Sequence, residues 1–572
     1  MKTPEDYTKK IIPLAGWFIF FLIVIGFRLI YLQIISAHNF FALSVKNFLR
    51  TESITSTRGN ILDCNGVLLA TNRPITTLHW QGSGNKNLTD QQRNIIEQIA
   101  IIINSDTEKI LPAIKQAEKN STKTIIAQEL TFEQLSKILE QFPNNENIFL
   151  FTSNKRFYPY KKVASHLLGH INQLDKETKG KMGLEKILHN KLQGQEGQLL
   201  KTINSLGSNI KETQIKEALA GENINTTIDL SLQLLAESLF PENYSGSLLV
   251  MNPKNGALKA LVSRPNFDPT IFLEPIAIPD WQEVQQGQPF LNRAFDTCYP
   301  PASTFKLITI SAALEQGIVN LNDSLFCCGY FNYCGRRYYC DKRSGHGQLT
   351  VKEAVAKSCN ILFYYIATKI SVDILAQYAH KFGLGSKTNI IFPEKSGLVP
   401  STAWKLQEKG ERWWQGETLS CAIGQSYLLA TPLQIACMIS SIFEGYFVTP
   451  RILEIEPIVY RPLELLPSTR KLLKKYMKLA VKIGTCVKLN SLDNLTIYAK
   501  TGTAQTCSLR HKKNVATNLL PHAWFVCYFY LDNEEPLTLV ILVENAGSSR
   551  VATSIAKEFL TGLRNQKNLI VS

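Results

Sequence analysis

"YPPASTFKLITI", residues 299–310, sets a serine three positions before a lysine, directly after two prolines and at the head of an apolar run. Either Ser303 is a nucleophile with Lys306 as its activator, or the stretch is an ordinary helix start. Pro300 and Pro301 cannot continue a helix upstream, and Phe305 through Leu314 are apolar or small, so a buried helix begins at or next to Ser303. The unbonded N–H groups and positive dipole end at such a point favour a developing oxyanion. Residues i and i+3 share a helix face, which brings Lys306 within reach of the serine hydroxyl. A capping serine followed one turn on by a solvated lysine fits the same letters. The spacing also recurs at Ser83, Ser208, Ser468 and Ser554, so alone it decides nothing.

Two further motifs decide it. "KSCNILFYY" supplies Ser358 and Asn360, and "YAKTGTAQ", after a short strand, supplies Lys500, Thr501, Gly502 and Thr503. Lys-Thr-Gly occurs nowhere else in the chain. Ser-x-x-Lys, Ser-x-Asn and Lys-Thr-Gly in this order form the set used by penicillin-recognising serine enzymes. A serine hydroxyl needs a neighbouring base, and Lys306 serves only if its own pKa is lowered. Lys500 and the helix N-terminus both disfavour a charged Lys306. Ser358 is placed to relay a proton to the leaving amine, and Asn360 to hold Lys306 and the substrate amide. The hydroxyls of Thr501 and Thr503 suit a terminal carboxylate. Gly502 is expected to let a substrate strand lie along the sheet edge. The N–H groups of Ser303 and Thr503 form the expected oxyanion hole.

The chain of 572 residues is long enough for several domains, and its 45% hydrophobic content is that of a folded protein. "IIPLAGWFIFFLIVIGF", Ile11 to Phe27, carries no charge, and apolar text resumes after Arg28, so residues 11–35 read as a membrane span. Bulky residues follow it rather than a small-residue cleavage site, which favours an uncleaved anchor over a signal peptide. Lys2, Lys9 and Lys10 precede the span, so residues 1–10 are expected in the cytoplasm and the remainder outside it. The net charge of +15 is scattered with no run of five or more, which points away from nucleic acid and towards a mildly basic surface near lipid or wall polymer. Turns at Asn65-Gly66 and Asn255-Gly256 mark two hairpins, and helical text fills roughly residues 88–145. A connector helix is expected between Thr226 and Pro241. This gives a mixed α+β region over 36–238, and over 239–572 a second domain alternating helices with strands.

The chain resembles the class B, monofunctional penicillin-binding proteins, and within them the penicillin-binding protein 2 branch, the cell-elongation D,D-transpeptidases. The resemblance is carried in order by "STRGNILDCNGVLLATN", "RFYPY", "GLE", "TTIDLSLQ", "YPPASTFK", "GHG", "WWQGETLSCAIGQ", "TPLQ", "KTGTAQ", "HAWFV" and "LVEN". It implies an α/β penicillin-binding transpeptidase domain, an antiparallel sheet flanked by helices, on a membrane-anchored α+β pedestal. It also implies cross-linking of peptidoglycan stem peptides with release of D-alanine, covalent inhibition by β-lactams, and no cofactor for the chemistry. The implied location is the bacterial cytoplasmic membrane as a single-pass protein, with the catalytic domain on the periplasmic side. The implied partners are a membrane glycan polymerase and a rod-shape scaffold protein. Division-type transpeptidases share the three motifs, but "YPPAS" and "GHG" favour the elongation type. A β-lactam hydrolase or carboxypeptidase would lack the anchor and pedestal. A penicillin sensor or an inactive scaffold for a polymerase would show the same motifs without turnover. The chain departs from the family's pattern at Cys64 (arginine there), Ala302 and Ser426 (glycine at both) and in the less glycine-rich "AGSSR" near the end.

Twelve cysteines are unusual for an envelope enzyme, and four fall in "CCGYFNYCGRRYYC". In an oxidising compartment disulfides are the default reading, with free thiols a lesser one. A structural zinc site stands level with disulfides, because Cys359 sits inside the Ser-x-Asn motif and would point away from the cleft if that motif were an extended loop. Elongation-type relatives carry acidic, histidine and cysteine ligands at corresponding places. By that comparison Cys327 and Cys340 stand where carboxylates stand, giving a Cys₃His set of Cys327, Cys340, His346 and Cys359, with Cys328 as the alternate first ligand.

Overall fold

In the computed structural model, the structure describes residues 4–41, 49–143, 145–172, 178–203, 209–276, 278–506, 519–531 and 534–571. Lys2 lies outside these, as do the side chains of Lys9 and Lys10. The N-terminal helix Pro4–Ile30 continues as one wide turn, Tyr31–Ile35. Its segment Leu14–Ile35 is long and apolar enough to cross a membrane, with a mean hydropathy of 2.5.

The described chain divides into two compact units. The smaller comprises the residues up to Arg58 with Thr76–Ser153 and Gln193–Gly221. Strands Leu49–Ile54, Gly197–Ile203 and Asn209–Lys216 make an antiparallel sheet in it. The helical text resolves into Asp90–Ile102, Thr107–Asn120 and Phe132–Gln141, with the strand Lys123–Ala127 between the last two. Thr89 and Thr131 close capping boxes with Gln92 and Gln134, which fixes where two of those helices begin. Glu118, fully buried, accepts from Trp80 Nε1 at 2.8 Å, Gln92 Nε2 at 3.0 Å and Ser83 Oγ at 2.6 Å. One of the recurrent Ser-x-x-Lys serines thus has a structural role.

The larger unit takes in Gly59–Ile75, Asn154–Leu192 and everything from Glu222 onward. Buried polar contacts tie the two early segments together. Arg156 of "RFYPY" donates to Glu185 of "GLE" at 2.7 Å and to the Gly59 carbonyl at 2.8 Å, and both side chains are all but inaccessible. Burying one such charge without the other costs several kcal/mol, so the segments hold together. Asp63 accepts from Asn65 N and Val67 N at 2.8 Å, shaping the Asn65-Gly66 turn, and from Leu230 N at 3.2 Å. The departure at Cys64 falls in this turn, where Lys259 Nζ approaches its sulfur at 3.7 Å. The connector helix is Leu230–Leu239, capped by Asp229.

The larger unit is built on five antiparallel strands: β1 (Gly246–Met251), β2 (Leu258–Arg264), β3 (Leu495–Ala504), β4 (His522–Leu531) and β5 (Leu537–Val543), in the order β2-β1-β5-β4-β3. The asparagine-glycine turn joins β1 to β2, with Gly256 at φ +73°. Every residue of β1 is buried because helices cover both faces. Leu249, Met251, Trp524 and Val526 pack on one side with the helices Lys306–Glu315 and Pro432–Glu444. Leu248, Val250, Phe525 and Cys527 pack on the other with Leu230–Leu239 and the C-terminal helix Arg550–Val571. A strand covered on both faces reads as an unbroken apolar run, as "SLLVM" and "LTLVILV" do. β3, the edge strand, carries Lys-Thr-Gly.

Candidate active site

Ala302–Thr304 form a single 3₁₀ turn, and the helix that follows begins at Lys306. Ser303, half-buried, thus stands where the sequence puts it, at the mouth of a helix whose body is inaccessible to solvent. The turn is strained and clamped. Ala302 holds φ +51°, a left-handed conformation that costs a residue with a Cβ about 1–2 kcal/mol. Its N–H donates to the Gly424 carbonyl at 2.8 Å.

Lys306 is fully buried, and its Nζ donates to Asn360 Oδ1 at 2.6 Å, Ser358 O at 2.8 Å and Ser358 Oγ at 3.2 Å. Lys500, equally buried, donates to the same Ser358 Oγ at 3.0 Å and to the Thr501 carbonyl at 2.8 Å. Ser358 Oγ therefore lies between two amines. Burial is the main cause that brings the Lys306 amine down to about 8, opposed first by Cys340 and also by Asp341. Burial and then repulsion from Lys306 bring Lys500 down to about 7. A charged ammonium has three N–H donors, and the three contacts of Lys306 use all of them. A neutral amine keeps a lone pair free, and that is the form able to take a proton from Ser303.

Ser358 has φ +56°, and Asn360 is the first residue of the helix Asn360–Ala367, with Cys359 at its N-cap. The motif is therefore a left-handed residue feeding a helix start, not an extended loop. The outcome for Cys359 is nevertheless the expected one: it points into the core, away from the two lysines' partners. Asn360 Nδ2 and Tyr364 Oη both donate to the Tyr339 carbonyl, at 3.1 and 3.2 Å. This fixes which end of the Asn360 amide faces Lys306.

On β3, an edge strand, Lys500 and Gly502 share the side turned to the nucleophile's helix and Thr501 and Thr503 alternate with them. Thr501 Oγ1 lies 2.7 Å from Thr485 Oγ1. The Thr503 carbonyl accepts from Gln425 at 3.4 Å on the strand's outer edge. Since N–H and C=O of one residue in an antiparallel strand point to the same side, its N–H also faces the open edge, as an oxyanion donor must. At Gly502 a Cβ would meet Trp524 Cβ at 3.2 Å and come into contact with Ala302 Cβ and the Pro301 carbonyl, both at 3.4 Å, so the nucleophile's turn packs close to this glycine.

Next to this constellation, Cys327, Cys340, His346 and Cys359 converge, with their ligand atoms all within 4.8 Å of one another. His346 Nδ1 lies 3.6 Å from Cys327 Sγ and 3.5 Å from Cys340 Sγ, and Cys340 Sγ lies 3.9 Å from Cys359 Sγ. A disulfide needs sulfurs about 2.05 Å apart. Every cysteine among the described residues is a free thiol, so the disulfide reading fails there, and Cys507 lies outside them. Cys328 is exposed and turns away to the Tyr330 carbonyl, which leaves Cys327 as the inward member. Hydrogen bonding from Cys359, together with His346, pulls the Cys340 thiol well below its ordinary range, and the same contact pushes Cys359 up.

The profile of the family described as "Penicillin binding protein transpeptidase domain" matches residues 246–561, and that of the "Penicillin-binding Protein dimerisation domain" matches residues 53–226. The chain belongs to the penicillin-binding proteins. Its likeness is to the elongation-type enzymes, and it is a serine-type D,D-transpeptidase. The peptidoglycan D,D-transpeptidase MrdA of Haemophilus influenzae is 30% identical over 94% of this chain and 88% of that protein. A penicillin-binding protein (PBP2) in complex with MreC from Helicobacter pylori aligns with a TM-score of 0.76 and 26% identity, over 91% of this chain and 99% of that one. A chain from a structure titled "Structural coordination of polymerization and crosslinking by a peptidoglycan synthase complex" aligns with a TM-score of 0.74 and 28% identity, over 97% of this chain and 98% of that one. In this penicillin-binding protein Thr485, Gly424 and the Tyr339 carbonyl are site components that sequence reasoning missed. No motif marks Thr485 or the Tyr339 carbonyl, and "WWQGETLSCAIGQ", which contains Gly424, gives no sign of its contact with Ala302, because each acts through a partner distant in the chain.

Proposed function

We propose that this transpeptidase cross-links peptidoglycan stem peptides during wall elongation, with Ser303 as nucleophile. The observation that carries the assignment is the meeting of Lys306, Lys500 and Asn360 around Ser358, with Ser303 in the turn that leads into the helix of Lys306. Ser303 Oγ attacks the carbonyl of the penultimate D-alanine and its proton passes to neutral Lys306. The bond to the terminal D-alanine breaks, and Ser358 relays a proton to that departing amine. An amine of a neighbouring stem then attacks the acyl-enzyme and restores Ser303. The N–H groups of Ser303 and Thr503 receive the oxyanion, and Thr501 and Thr503 the terminal carboxylate.

Burial depresses both amines, and repulsion from Lys306 adds to the shift of Lys500. A substrate carboxylate next to Lys500 favours its charged form, and the repulsion then falls on Lys306. Substrate binding thereby favours the neutral form of the base. β-Lactams carry a carboxylate in the same relation to their reactive carbonyl and acylate the same serine.

Residues 1–10 are read as a cytoplasmic tail, 11–35 as the anchor, 36–238 as the pedestal and 239–572 as the transpeptidase domain on the periplasmic side. A scaffold of the MreC kind and a glycan polymerase are the assigned partners, by similarity to the two complexes. Cys327, Cys340, His346 and Cys359 would hold a structural zinc. Tetrahedral zinc at ordinary bond lengths sets sulfurs about 3.8 Å apart and a sulfur about 3.5 Å from a nitrogen, and the measured separations of 3.9, 3.6 and 3.5 Å fit. Bound there, it would tie the Ser-x-Asn turn to the loop of His346.

The test is incubation with lipid-linked precursor and a polymerase, followed by analysis of cross-linked products, with fluorescent penicillin mapping the acylated residue. Cross-links from the wild type and none from Ser303→Ala are expected. Labelling of another serine, or a stable acyl-enzyme with no cross-links, refutes the assignment.

A further inference from the structure

The hairpin Tyr330–Tyr333 and Arg336–Tyr339 lies between two cysteines of the Cys₃His cluster, and the catalytic mechanism uses only its Tyr339 carbonyl. Strand register divides its side chains. Phe331, Tyr333 and Tyr338 pack against the core. Tyr330, Asn332, Arg337 and Tyr339 occupy the other face, which points outward. There the Arg337 guanidinium lies over the Tyr330 ring, 5.0 Å from its centroid, and Arg343 lies over Tyr339 at 3.9 Å. Both arginines are exposed, and neither has a carboxylate partner among the described residues. From Tyr330 to His346 the sequence holds Arg336, Arg337, Lys342 and Arg343 against one carboxylate, Asp341. A guanidinium stacked on a ring is pre-oriented and keeps its N–H edge free for a planar anion.

We infer that this outward face is a subsite for an anionic stem peptide, with Arg337 and Arg343 binding its free carboxylates and the two tyrosines fixing the arginines in place. The inference rests on the cross-linking function proposed above. The hairpin is anchored at both ends, by Cys327 and Cys340 at the His346 ring and by the Tyr339 carbonyl at Asn360. A stem held on it is therefore held at a fixed distance from the reacting centre, while a small β-lactam has no atoms to reach it.

The experiment compares the full chain with Arg337→Gln/Arg343→Gln and with Arg336→Gln, whose residue belongs to the inner face. Cross-linking of lipid-linked precursor in the presence of a polymerase is divided by the rate of penicillin acylation, at low and at high salt. The double variant is expected to lower this ratio about tenfold at low salt and to lose most of its salt dependence, as two exposed charge pairs warrant. Arg336→Gln should leave the ratio within about twofold of wild type, a small fraction of that effect. Precursor amidated at its stem carboxylates other than that of the terminal D-alanine should show the same loss with wild-type protein and no further loss with the double variant. A double variant with an unchanged ratio, or an equal loss in Arg336→Gln, overturns the subsite. A double variant that still loses activity on amidated precursor assigns the arginines to the lipid pyrophosphate instead and overturns it too. If wild type acylates penicillin but forms no cross-links, the functional reading itself falls, and this inference with it.

Discussion

Gly424→Ala tests how tightly the position of Ser303 is set. The backbone of Gly424 has φ +76°, and a Cβ built on it would stand 2.0 Å from the Ala302 carbonyl oxygen, 2.7 Å from the Ala302 carbonyl carbon and 2.8 Å from its nitrogen. A carbon–oxygen contact normally closes at about 3.3 Å, so the two segments must part by about 1.3 Å. They are joined by the hydrogen bond from Ala302 N to the Gly424 carbonyl, and Ala302 is next to the nucleophile. Left-handed strain and overpacking together should destabilise the protein by about 3 kcal/mol. A misplacement of about 1 Å at a reacting group costs on the order of a hundredfold in rate. The assay is the rate of acylation by fluorescent penicillin, alongside a thermal melt in detergent that establishes the variant is folded. Gly410→Ala is the control, with φ +68° and open space around the new Cβ. It carries the backbone strain alone, so it should lose about 1 kcal/mol and acylate normally. A folded Gly424→Ala that acylates within threefold of wild type would refute the argument that this clamp positions Ser303, threefold being a small part of the expected hundredfold.

The amine of Lys306 is held near 8, and only its neutral form acts as base, so acylation should rise with pH through about 8 and fall away below it. Lys306→Arg should lose at least about a hundredfold, since arginine keeps its proton at every accessible pH. Activity flat between pH 6 and 9, about two units on the acid side of the lysine and one beyond it, would place the base elsewhere. Thr485→Val removes the partner of the Thr501 hydroxyl with little change of shape. Acylation by carboxylate-bearing penicillins should slow by about threefold to tenfold, as one hydrogen bond warrants, and Thr485→Ser should restore it. An equal loss with a ligand lacking the carboxylate would mean a general structural effect. Protein purified without chelator should contain about one zinc per chain. Cys359→Ala should abolish it, lower the melting temperature and slow acylation, and metal-free wild type with normal acylation would dismiss the site.

The three motifs were legible because each is fixed by local chain geometry: a proline-bounded helix start, a helix N-cap and an edge strand. The hairpins followed from their asparagine-glycine turns, and the anchor from its uncharged length. Other features depend on groups far apart in the chain. The sequence divides near residue 238, yet Gly59–Ile75 and Asn154–Leu192 pack into the larger unit, because the Arg156–Glu185 pair is buried only there. The partner of Thr501 comes from a loop after a different helix, and spacing gives no sign of it. The closeness of the nucleophile's turn to Gly502 had no sign in the sequence either, because a position on an edge strand says nothing about which body packs against it.

Backbone conformation explains two of the departures from the family's pattern. Ala302 and Ser426 replace glycines, and both hold left-handed φ, +51° and +71°. The conformation that glycine adopts freely has therefore survived the loss of the glycine. At Ala302 the strain of about 1–2 kcal/mol is offset in part by a methyl group with no exposed surface, worth roughly 0.8 kcal/mol. A chain with less backbone freedom when unfolded supplies a further 0.5–1 kcal/mol or thereabouts. These terms nearly cancel, so the substitution left the nucleophile's turn in place at little cost. The same exchange is closed to Gly424, where the added methyl would meet the Ala302 carbonyl itself.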